Sequence, residues 1–72
     1  MSNLDESIVE AQRIADIKDT ITALEGYNFF LHQVSKSRLR STKERKNASN
    51  DIKVIDRLIK EYKEILEEYL KW

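Results

Sequence analysis

The chain has no cysteine, no proline, one glycine and one histidine among its 72 residues. Without cysteine no disulfide can staple so short a fold, and a lone imidazole does not furnish the ligand set of a tetrahedral zinc centre. The scarcity of Gly and Pro removes the punctuation that turn-rich β folds require, and no strand-like alternation is present. No run approaches the roughly 18 apolar residues of a membrane span. The start Met1-Ser2-Asn3-Leu4-Asp5-Glu6 also lacks the basic stretch and apolar core of a signal peptide. A cytoplasmic location without a membrane partner is the expectation. There is no glycine-rich phosphate loop and no nucleophile paired with a base, so neither an enzyme nor a cofactor is expected.

What the chain does have is charge and helical periodicity. Charged residues make up 36% of it, and the apolar positions Ile52, Ile55, Ile59, Tyr62, Leu66 and Tyr69 recur at alternating spacings of three and four. That spacing keeps one side of a helix against a partner, and its mean period near 3.5 suits a coiled-coil seam. Upstream, Ile14, Ile17, Ile21, Leu24, Asn28 and Leu31 repeat the pattern with one polar member. Asn28 in this phase either sets register and oligomer state at some cost in stability, or is turned by helix curvature toward solvent or a backbone carbonyl.

The predicted fold is all-α, an antiparallel two-helix hairpin. The first helix runs over about 3–35, a basic turn over about 36–41 and the second helix over about 42–72, together making one domain. Asn3 with Glu6, and Ser41 with Glu44, carry the spacing of a capping box. Later starts for the second helix, at Ser49 or Asn50, compete. Gly26 lies inside the first helix, where glycine costs about 1 kcal/mol relative to Ala, so it marks either a bend, a close approach by a neighbour, or a break into two shorter helices. Continuity is favoured, because Leu24, Tyr27 and Leu31 hold the same side across it. Outward pairs at four-residue spacing, Asp56 with Lys60, Arg57 with Glu61, Lys60 with Glu64, Lys63 with Glu67 and Glu67 with Lys71, describe a solvated side.

The apolar arcs are wider than one partner helix can cover. On the second helix Val54, Leu58, Ile65 and Trp72 extend the seam to an arc of roughly 160°. On the first, Tyr27, Phe30 and Val34 flank it. Pairing of two hairpins into a four-helix bundle would bury both arcs, so the seam residues and their flanks are expected to carry homodimerisation. Phe29 points away from Tyr27 and Phe30 and is a candidate contact either for another protein or for a second packed helix. The expected function is a non-catalytic interaction module: an adaptor, assembly factor or inhibitor of a larger macromolecule.

The alternative reading lies in the connector. Lys36, Arg38, Arg40, Lys43, Arg45 and Lys46 stand against Glu44 alone, interspersed with serine and threonine, and could engage nucleic-acid phosphates. The arm before it is acidic, with Asp5, Glu6, Glu10, Asp16, Asp19 and Glu25 against Arg13 and Lys18. His32 and the cluster Glu61, Glu64, Glu67 and Glu68 lack the Glu-x-x-His pairing of helical di-iron sites and read as surface.

Overall fold

The amphipathic runs form two helices, α1 (Ser2–Lys36) and α2 (Thr42–Leu70), which pack against each other as an all-α hairpin. The structure is a computed structural model that describes residues 2–71, with side chains from Glu6 to Lys71. The expectations at Asp5 and Trp72 lie outside those side chains. Asn3 is within α1 rather than capping it, because the helix already includes Ser2.

Gly26 does not break α1. Its φ is not positive, and a Cβ built on it meets nothing within 4 Å, so neither a bend nor a close neighbour explains the residue. The helix continues because the seam residues on both sides of Gly26 are held by the same partner.

The turn comprises residues 37–41. The Ser37 N–H donates to the Val34 carbonyl at 3.2 Å and the Arg40 N–H to the Ser37 carbonyl at 3.4 Å, closing two tight bends. α1 ends one residue later than expected, taking in Lys36 from the turn, and the Ser35 hydroxyl donates to the His32 carbonyl at 2.9 Å. α2 then starts at a complete capping box. The Glu44 N–H donates to Ser41 Oγ at 3.1 Å, and the Ser41 N–H reaches back to Glu44 Oε1 at 3.5 Å. Arg40 adds an ion pair to the same carboxylate at 3.2 Å. These contacts, the Arg40 hydrogen bond first and those from Ser41 next, hold the Glu44 carboxyl below the ordinary glutamate range.

The seam between the arms is narrow. All twelve seam positions expected from the sequence are buried or half-buried, yet among the described residues of the whole hairpin only Ile21, Leu31 and, outside those twelve, Ala48 are exposed by less than a tenth, at 7%, 5% and 3%. Two polar contacts fix the register across it. Asn28 Nδ2 donates to Asp56 Oδ1 at 2.8 Å, and Lys63 Nζ lies 3.3 Å from Glu25 Oε2.

Glu10 lines a hollow with Ile65, Glu68 and Tyr69, so the end of α2 reaches the level of Glu10. α1 has 35 residues and α2 has 29, and the first turns of the longer helix extend past the end of α2 at the open end. The molecule is accordingly a rod, 58 × 16 × 12 Å.

Two outcomes test this account. Gly26→Ala adds a methyl group in open space at a helical position and should raise stability by about 0.5–1 kcal/mol in urea melts. The capping box makes a separate prediction. A depressed folded-state pKa means that the stability from Glu44 is present above its unfolded value and lost as pH falls through the folded one. An NMR titration should find Glu44 titrating below ordinary glutamates, and Ser41→Ala should raise that midpoint while costing about 1 kcal/mol.

A candidate interaction surface

At about 100° per residue, the two edges of the seam differ in character. Glu25 and Lys63, joined by their ion pair, mark one edge. On the opposite flank of α1 lie Val9, Ala23, Tyr27, Phe30 and Val34, and on the matching flank of α2 lie Val54, Leu58 and Ile65. Since the ion pair fixes which edges adjoin, the two apolar flanks form one broad side of the rod. Tyr27, Phe30, Val54 and Ile65 are exposed there, while Val34 and Leu58 are half-buried at the margin of the seam.

This side also carries charge at its ends. Ile65 shares shallow hollows with Glu61, Glu64 and Glu68 and, across the arms, with Glu10 and Tyr69. At the turn end, Phe30 and Val34 share one with Gln33, Ser37 and Arg40. All are open surface hollows, shaped for another surface rather than for a small molecule.

The rod exposes 5938 Å². A compact monomer of this mass would expose about 4,700 Å², and the observed value leaves only about half of the unfolded chain's surface covered. The excess, about 1,300 Å² on the same scaling, exceeds the roughly 800 Å² that one partner contributes to a standard interface.

The structure places the seam residues Ile14, Ile17, Ile21, Leu24, Asn28 and Leu31 opposite Ile52, Ile55, Ile59, Tyr62, Leu66 and Tyr69 within a single copy. A hairpin uses its deepest stripes on itself, and the flanks are what remain for a second molecule. Asn28 does lie in this seam, but it is satisfied by an aspartate of the other arm rather than by solvent or a carbonyl. With Nδ2 on the carboxylate, its Oδ1 is buried without a partner. The reverse amide orientation would set oxygen against oxygen, so one unsatisfied acceptor is the cost of this pairing.

Phe29 is 66% exposed and lies away from the apolar flank, on the side of Glu25. Within the basic connector, Arg40 is tied to Glu44. Arg45 is half-buried, its guanidinium donating to Thr42 Oγ1 at 3.4 Å while its Nε is buried and unpaired. Lys36, Arg38, Lys43 and Lys46 are exposed.

Sequence reasoning missed Ala48, the most deeply buried residue, although it stands four positions before Ile52 in the phase of the seam. It also misassigned two lysines. Lys63 reaches across the arms to Glu25 instead of Glu67, and Lys71 lies 3.5 Å from Glu68. A cross-arm carboxylate competes with one on the same helix once the arms are in register, which spacing along one helix does not reveal.

Among the described residues no group of three or more His, Cys, Asp or Glu side chains is placed to hold a metal ion, and no helix is long and apolar enough to cross a membrane. No protein family, curated protein or solved structure matches the sequence.

Asn28→Leu removes the buried orphan acceptor and leaves Asp56 free to be hydrated. It should raise hairpin stability by about 1 kcal/mol in denaturant melts, whereas Asn28→Asp should lower it at neutral pH by placing two carboxylates together.

Proposed function

We propose that this chain is a non-catalytic protein–protein interaction module, an adaptor, assembly factor or inhibitor, that works as a homodimeric four-helix bundle. One observation supports it most: the apolar flanks of α1 and α2 merge into a single exposed side. Scattered apolar residues are normal on a surface, but a contiguous patch marks an interaction site. A side made of two parallel rods suits two more rods, with side chains interdigitating as in helical bundles. The surface left uncovered by the hairpin is large enough for a standard interface. In such a dimer Phe29 and Ile8, on the other side of α1, stay exposed and offer the contact for a different protein.

The binding of nucleic acid through the connector has less support. Arg40 and Arg45 already serve the start of α2, which leaves four exposed cations for phosphates.

Sedimentation equilibrium at micromolar concentration should return twice the chain mass, with a melting temperature that rises with concentration. The double substitution Phe30→Glu and Val54→Glu alters residues exposed in the single hairpin. It should shift the mass to that of one chain and weaken association at least about 100-fold, since a charge buried without a partner costs several kcal/mol. A helical wild-type chain that remains monomeric throughout refutes the reading.

A further inference from the structure

We infer that two copies pair through the apolar side in an antiparallel sense, the acidic overhang of α1 in each lying along the basic turn end of the other. The inference rests on the dimer reading above and adds its geometry.

Three observations converge on this arrangement. First, charge is segregated along the 58 Å rod. The turn end carries Lys36, Arg38, Lys43 and Lys46, all exposed, and the open end carries Glu6, Glu10, Glu64 and Glu68 against Arg13 and Lys71, also exposed, with Lys71 paired to Glu68. A parallel pair would set cations against cations and carboxylates against carboxylates, at separations within the roughly 8–10 Å over which physiological salt does not screen them. An antiparallel pair opposes the signs at both ends.

Second, the longer arm is self-complementary. α1 has 35 residues and α2 has 29, so the first turns of α1 lack a neighbour at the open end. A two-fold axis lying in the apolar interface, perpendicular to the rod, turns the two apolar sides face to face and brings that overhang beside the turn end of its mate's α1. The projecting segment gains a neighbour, and a two-fold contact of this kind closes without forming filaments.

Third, the apolar patch has its middle where the axis must pass. Ala23 and Tyr27 on α1, with Leu58 and Ile65 on α2, lie between the two ends of the rod. Ala23, the smallest residue of the flank, allows close approach at that point. Arg40, beside Phe30 and Val34, is then carried toward the acidic end of the other copy.

Spin labels test the orientation directly, because the chain has no native cysteine and Leu39, at the turn, is 98% exposed. In labelled Leu39→Cys, an antiparallel dimer separates the two labels by about 35 Å or more, taking at least twelve residues of rise on each side of the axis. A parallel dimer holds them within about 20 Å, the spacing of neighbouring helices plus the label tethers. Sedimentation of the same sample separates the two failures. A single-chain mass overturns the dimer itself, whereas a double mass with a dominant distance below about 25 Å overturns only the orientation.

Charge exchange gives a second measurement. Glu6→Lys with Glu10→Lys should weaken association about tenfold in low salt. Adding Lys36→Glu and Arg38→Glu to the same chain should restore it, since each reversed end then meets its reversed counterpart. Failure of the fourfold variant to recover overturns the antiparallel pairing.

Discussion

Everything in this molecule follows from how little one helix can shelter on another. Two rods in contact cover a single stripe on each, and here that stripe is the seam from Ile14 to Leu31 against Ile52 to Tyr69. Apolar burial contributes about 25 cal/mol per Å², so a hairpin that covers only about half of its unfolded surface is short of the favourable term on which folded chains depend. With no cysteine in the chain, no disulfide makes up the difference. The broad apolar side is therefore a constraint on the fold as much as an opportunity for binding.

Polar groups then decide how the narrow seam is aligned. An apolar seam repeated every seven residues is nearly indifferent to sliding by one repeat. The Asn28 bond to Asp56 and the Lys63 contact with Glu25 are satisfied in one alignment only. Both pairs are solvent-accessible on the charged edge, so neither adds much stability. Their contribution is to selection among alignments, and the unpaired Asn28 Oδ1 is an expense borne for it.

Much of this was legible in the residues. Alternating three- and four-residue spacing located the seam position by position, and Ser41 with Glu44 located the start of α2, because both features depend on neighbours within one helix. What lay hidden was whatever depends on the relative shift of the arms. The burial of Ala48 and the capture of Asp56 and Lys63 by the other helix cannot be read from either helix alone. α1 was harder than α2 for a further reason. Phe29, Ile8 and the flank Tyr27, Phe30 and Val34 spread apolar residues around its circumference, so periodicity alone does not say which stripe the partner takes.

The short turn at residues 37–41 also sets an order of events. Closing a loop costs more entropy the longer the loop, so the contacts around Leu31 and Ala48, next to the capping box, are the cheapest to form. Pairing nucleates there and zips toward the open end, as expected of a topology dominated by local contacts, which folds within microseconds to milliseconds. Opening retraces the path from the far end. Amide protons of the projecting first turns of α1 therefore exchange with solvent soonest, and those beside the turn last.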